Sequence, residues 1–190
     1  MAKDTKQILL RSFLELLEKK GITQITETDL AKASGVTRFT IQNNFGKNFA
    51  KTITDYLYDK ISKNLLDKLS HFDPEDMTIE IFADILLPIV WKYQTSIRII
   101  ANSSILPMSD TFLFAPFFKW AEPLFSRTWE QQKKTLTQFD TYDMYCLWVQ
   151  QIILYIVMWI RKPVPEDPKL FKKTFCYLLR TSAASLIDKD

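Results

Sequence analysis

Apolar residues recur at helical spacing along almost the whole chain. Ile8, Leu9, Phe13, Leu16 and Leu17 mark one face of a segment from Asp4 to Lys20. Ile53, Tyr56, Leu57, Ile61, Leu65, Leu66 and Leu69 stripe a longer helix from about Phe49 to His71. Between them the pattern shortens. Thr26 with Asp29 three residues on has the form of a capping box, Leu30, Ala31 and Ala33 supply the buried side of a short helix, and Gly35 closes it. Thr37 caps a third helix whose Ile41 and Phe45 share a face at i, i+4. The three glycines of the chain, Gly21, Gly35 and Gly46, all stand at predicted helix ends in this stretch. Glycine is the least strained residue where backbone leaves a helix through positive φ.

Beyond residue 71 the same period predicts helices over Asp76–Trp91, Ser96–Ser104, Leu124–Thr137, Asp140–Ile160 and Asp167–Ile187, with broken helix between Pro107 and Pro123. Pro163 to Pro168, PVPEDP, cannot be helical and joins the last two helices as an antiparallel pair. No strand pattern or repeat emerges. The fold class is therefore all-α. Residues 1–48 are expected to form an N-terminal three-helix bundle with a helix-turn-helix, and residues 49–190 an all-helical second domain; the residues below point to DNA binding for the first and to ligand binding and dimerisation for the second.

The segment from Thr26 to Phe45, TETDLAKASGVTRFTIQNNF, carries the chemistry. A DNA reader needs small residues where its two helices cross, and Ala31 and Gly35 fit. It needs inward apolar residues to lock the reading helix, and Val36, Ile41 and Phe45 fit. Its outward residues must reach base edges and phosphates. Thr37, Arg38, Thr40, Gln42, Asn43 and Asn44 are suited to such contacts. Asn and Gln pair bidentately with adenine, Arg with guanine, and Phe39 can meet a thymine methyl. Charge agrees. Residues 1–51 carry nine basic and five acidic side chains, whereas the whole chain is only +3, so the positive excess sits beside the reader, where it suits a phosphate backbone.

The order of a leading amphipathic helix, Gly21, Thr26-x-x-Asp29-Leu30-Ala31, then Gly35-Val36-Thr37-x-x-Thr40-Ile41 and Phe45 resembles the TetR family of bacterial transcriptional regulators. The resemblance is strongest over residues 5–60; beyond them length and helicity agree. It implies that Thr37, Thr40 and Gln42 touch phosphates and that Arg38, Phe39 and Asn43 face bases. With Thr26 and Lys47 these make up the candidate DNA contacts. Two positions depart from the family pattern: Gln42 stands where tyrosine is usual, and the expected lysine at Asn48 is found one place earlier, at Lys47.

Phe112, Phe114, Phe117, Phe118, Trp120, Phe125 and Trp129 cluster among helix-breaking prolines. Phe112, Phe117, Trp120 and Trp129 are the candidate lining of a cavity for a small hydrophobic effector; a filled aromatic core is the alternative. A single reader contacts too few base pairs for specificity, so a homodimer on a palindromic double-stranded operator is expected. Trp148, Ile152, Tyr155, Ile156 and Trp159, with Phe175 and Leu179, are the candidate interface, paired as a four-helix bundle; internal core is the alternative. The resemblance implies the same arrangement, and repression as the mode of action.

Other chemistry is poorly supported. A lone His71 leaves no histidine-based metal site or Ser-His-Asp triad, and no glycine-rich phosphate loop exists. No catalytic residue, metal or cofactor is expected. Met144–Ile160 is apolar but interrupted by Gln150 and Gln151, which favours a buried helix over a membrane span. Two cysteines and no signal peptide point to the cytoplasm. The runner-up function is a helical ligand-binding or interaction protein with a weakened DNA reader.

Overall fold

The computed structural model describes residues 2–20, 24–102, 122 and 141–181, and every regular element among them is helical. The helices are α1 (Ala2–Lys20), α2 (Glu27–Ser34), α3 (Arg38–Phe45), α4 (Phe49–Leu69), α5 (Ile79–Lys92), α6 (Gln94–Asn102), α7 (Thr141–Ile160) and α8 (Pro168–Arg180), with a short 3-10 turn at Pro74–Asp76. The chain divides into two compact units, the first from Met1–Lys60 with Thr95–Met108, the second from Ile61–Gln94 with Ser109–Asp190.

In the first unit α1 packs on α2, and α2 on α3. Leu9, Leu10, Phe13, Leu14 and Leu17 of α1 are buried with Leu30, Ile41, Phe45, Phe49 and Ile53. Phe13 meets the ring of Phe49 edge-on at 6.2 Å, and Phe45 meets Tyr56 at 6.3 Å, geometries that aromatic quadrupoles favour. Ile8, assigned to the buried stripe from spacing, lies on the outer side instead. Leu10 and Leu14 take its place, because a helix face is wider than the strict i, i+4 row.

The second unit is built on α5, α7 and α8. α5 buries Phe82, Ala83, Ile85, Leu86, Leu87, Ile89 and Val90. This apolar load keeps the helix continuous through Pro88, which costs roughly 3 kcal/mol in a helix interior. α5 begins at Ile79 rather than Asp76, because the Thr78 hydroxyl accepts from the Ile81 N–H at 3.2 Å and so caps the helix there, while Pro74–Asp76 closes its own turn. Trp159 is the centre of the unit. It is 1 % exposed, stacks on Phe171 at 4.5 Å and on Trp91 at 5.6 Å, and donates its indole N–H to the Glu166 carbonyl at 3.0 Å. Burial of so large a ring needs that donor satisfied. α7 and α8 run antiparallel through residues 161–167, as the proline run predicts. The Tyr155 hydroxyl reaches the Leu178 carbonyl at 3.2 Å. Lys172 binds Asp84 at 2.7 Å and Arg180 binds Glu80, tying α8 to α5. α8 ends at Arg180, capped by Thr181 in extended conformation, short of the expected Ile187. No helix among the described residues is long and apolar enough to cross a membrane.

Candidate nucleic-acid interface

The turn between α2 and α3 is built by side chains closing helix ends. Thr26 has extended backbone (φ −103°, ψ 161°) and its hydroxyl accepts from the Asp29 N–H at 3.1 Å. Asp29 answers by accepting the Thr26 N–H at 3.0 Å and the Thr26 hydroxyl at 2.8 Å. The amides at a helix start have no partner within the helix, and this reciprocal pair satisfies two of them locally. Lys20, at the end of α1, donates to the other Asp29 oxygen at 2.9 Å. That ammonium first, and the Thr26 donors second, hold the Asp29 carboxyl well below the usual carboxylate range. One carboxylate thus caps α2 and ties it to α1.

Gly35 then turns the chain at φ +68°. A Cβ placed there would meet nothing within 4 Å. The expectation that Gly35 permits a close helix crossing is therefore corrected: the position needs glycine for its backbone angle, not for space. Ala33 is likewise exposed, and Leu30 alone is fully buried on α2. Thr37 caps α3, accepting from the Thr40 N–H at 3.2 Å with its hydroxyl 2.9 Å from that of Thr40. α3 leaves through Gly46 at φ +67°, ψ −166°.

α3 has two faces. Ile41 and Phe45 are buried, and Thr37, Arg38, Phe39, Gln42 and Asn43 are exposed. Phe39 is the most telling, a large apolar ring left 73 % exposed. Thr40 is half-buried, and Asn44 turns back to donate to the Thr40 carbonyl at 2.8 Å. The Asn43 side chain has no hydrogen-bond partner among the described residues, and Lys47 is exposed in the turn before α4. Thr26 is exposed, with its hydroxyl held by Asp29. Seven of the eight sequence-derived contacts (Thr37, Arg38, Phe39, Thr40, Gln42, Asn43 and Lys47) therefore lie on α3 or at its ends, and Thr26 caps α2.

One residue of this face escaped the sequence reading. Glu27, in the first turn of α2, accepts from Gln42 Nε2 at 3.0 Å, and the same oxygen lies 3.6 Å from Arg38 Nε. Its separation of fifteen residues from Gln42 leaves no periodic signal; only the crossing of two helices brings the pair together.

The other candidate sites fare differently. Phe112, Phe117, Trp120 and Trp129, the candidate cavity lining, lie outside the described residues. Of the candidate interface, Ile152, Ile156, Trp159 and Phe175 are buried within one chain, and Trp148, Tyr155 and Leu179 are half-buried. Apolar spacing identified residues that are buried, but not against which chain. Besides Tyr142 at its start, α7 leaves Leu147, Leu154 and Met158 exposed, and α8 leaves Leu170 and Tyr177. Leu147, Leu154 and Met158 keep to one helical face by spacings of seven and four, and Leu170 and Tyr177 by a spacing of seven. Cys176 is buried beside the Ile79 carbonyl, where desolvation pushes its thiol up and makes it inert; neither cysteine is in a disulfide. Among the described residues no cluster of His, Cys, Asp or Glu could hold a metal ion.

No protein-family model matches the chain, and no curated protein matches it in sequence. Solved structures do match in fold. FadR of Bacillus halodurans, a fatty acid degradation regulator, superposes with a TM-score of 0.56 at 17% identity, over 91% of this chain and 96% of that one. FadR of Thermus thermophilus, a TetR family transcriptional repressor in complex with lauroyl-CoA, gives 0.51 at 14% identity, over 97% and 96%.

Proposed function

We propose that this chain, whose all-helical fold is that of TetR-family repressors, is a DNA-binding transcriptional regulator acting in the cytoplasm as a repressor. The observation that carries the reading is the two-faced α3 helix. Ile41 and Phe45 anchor it, and Arg38, Phe39, Gln42 and Asn43 stand outward with a solvent-exposed aromatic among them. A major-groove reader needs such a helix, and Thr37, Thr40, Gln42 and Lys47 are its proposed phosphate contacts. Fluorescence anisotropy with duplex from the region upstream of its own gene, at about 50 mM salt where counterion release favours binding, is expected to show saturable binding that weakens steeply with salt. Absence of binding overturns the reading.

The regulator works as a homodimer on a palindrome. The support is the exposure of Leu147, Leu154 and Met158 on α7 and of Leu170 and Tyr177 on α8, which a second copy would cover as a four-helix bundle. Sedimentation at micromolar concentration is expected to give about twice the 22.4 kDa chain mass, and a species of one chain mass sinks the proposal. The effector is a small hydrophobic molecule that releases the operator. Support comes from the aromatic-rich sequence around Phe112, Phe117, Trp120 and Trp129 and from the lauroyl-CoA held by the Thermus thermophilus protein. Tryptophan fluorescence titrated with a broad panel of lipophilic compounds, acyl thioesters included, tests it: no saturable change across the panel refutes it.

A second reading, a helical interaction or ligand-binding protein with a weakened reader, is favoured by one observation. Glu27 places a carboxylate against Arg38 and Gln42 on the exposed face of α3, where negative charge opposes the approach of DNA.

A further inference from the structure

Glu27 starts α2, yet its carboxylate faces α3; the side chain is only 17 % exposed. Oε2 accepts the Gln42 amide at 3.0 Å and makes an ion-pair contact, too long for a hydrogen bond, with Arg38 Nε at 3.6 Å. Arg38 and Gln42 sit one turn apart on the exposed face of α3, at i and i+4. A single oxygen therefore holds both of the long polar side chains at the centre of that face. A negative charge at a surface that meets phosphate opposes binding outright, so its presence there has a cost in affinity. Its effect on the two partners differs. For Arg38, pairing on the Nε edge cancels the charge that would seek any nearby phosphate, while the terminal nitrogens remain able to donate to a guanine. For Gln42, anchoring one amide hydrogen orients the group whose remaining hydrogen and oxygen face outward.

We propose that Glu27 is a positioning residue of the DNA reader: it clamps Arg38 and Gln42 against α2 and, by neutralising Arg38, suppresses sequence-blind phosphate binding in favour of base-dependent binding. The inference rests on α3 being the recognition helix. Specificity is a difference of two affinities, and weakening the non-specific one raises it as surely as strengthening the specific one.

The test uses the full chain and two duplexes, one from the region upstream of its own gene and one of scrambled sequence, across about 50 to 200 mM salt. Wild-type protein that binds neither duplex overturns the DNA-binding reading and this inference with it. Where the wild type binds, Glu27→Gln keeps the size and the Gln42 hydrogen bond but removes the charge. It is expected to tighten binding to the scrambled duplex about fivefold and to steepen the salt dependence by about 0.9, the increment for one more phosphate. Binding to the upstream duplex gains less, so discrimination falls. In an Arg38→Ala background the same change is expected to leave the salt slope where it was, because there is no longer a cation to release. An unchanged slope and discrimination in Glu27→Gln overturns the clamp. So does an equal effect with and without Arg38, which would mean simple repulsion by the carboxylate. Gln42→Ala, which alters no charge, is the independent check: lost discrimination at an unchanged salt slope is expected, and retained discrimination counts against a positioning role.

Discussion

At the α2–α3 turn, Thr26, Asp29, Thr37 and two left-handed glycines hold two eight-residue helices in place; between α7 and α8 the same role falls to Trp159, sandwiched by Trp91 and Phe171. The reader is shaped by short polar side chains that act within three or four residues of themselves. The pair is shaped by surface removed from water, contributed by residues far apart in the chain. Local caps leave a helix face free to meet DNA, because they use little of the surface. Burial consumes the face it stabilises, so a contact surface in the α7–α8 region must lie where the core does not.

The contrast can be broken most directly at Trp159. Trp159→Ala removes the middle ring of the stack and is expected to cost about 3–5 kcal/mol, read by urea unfolding of the whole chain; a loss under about 1 kcal/mol, the range of ordinary surface changes, would mean the stack is not the centre of the unit. Next comes Arg38→Ala, which should leave the melt unchanged and weaken operator binding by about 1–3 kcal/mol in the anisotropy assay. Gly46→Ala sharpens the comparison from the side of the reader. With φ +67° and ψ −166° it lies in a region almost confined to glycine, and roughly 1–3 kcal/mol of destabilisation is expected. Gly35→Ala, in the ordinary left-handed region with open space around it, should cost less, and the reverse order would refute the assignment of strain.

Smaller again is the cap. Thr26→Ala should cost about 1 kcal/mol. The Asp29 contribution carries a pH signature of known sign. Its folded pKa is depressed by Lys20 and Thr26, so the stability it adds is complete above the unfolded value of about 3.9 and disappears as pH falls through the lower folded value. The difference in melting temperature between wild type and Asp29→Asn is therefore expected to stay constant at neutral pH and to shrink in acid. A difference that grows in acid would contradict the pairing. The smallest effect on protomer stability belongs to Leu154→Lys, within about 0.5 kcal/mol as for other exposed sites. In sedimentation it is expected to separate a dimer into single chains.

How much of this was legible follows from range. Caps and left-handed turns are local, so Thr26, Asp29, Gly35, Thr37 and Gly46 announce α2 and α3 from spacing alone. The amphipathic period gave α4 and α7 to within two residues. It failed at the start of α5, where Pro74–Asp76 forms a separate turn and Thr78 caps the helix, and at the end of α8, where Thr181 turns extended. Burial is legible as well, but its partner is not. Ile152, Ile156, Trp159 and Phe175 read as apolar surface seeking cover and find it inside their own chain, whereas the exposed Leu147–Leu154–Met158 row looked like part of the same helix. Glu27 was invisible for the complementary reason. A polar contact across a helix crossing leaves no period, and a glutamate in the first turn of a helix needs no other explanation than the helix dipole.

Phe39 gives the reader a thermal fingerprint. A ring held 73 % in solvent has most of its hydration shell still to lose, and that loss can occur only when something covers α3. Burying a phenylalanine side chain is worth about 1.5–3 kcal/mol and carries a negative heat-capacity change. A protein that met DNA through charge alone would release ions without that curvature. Here the binding enthalpy should bend with temperature, and replacing one ring by alanine should straighten it.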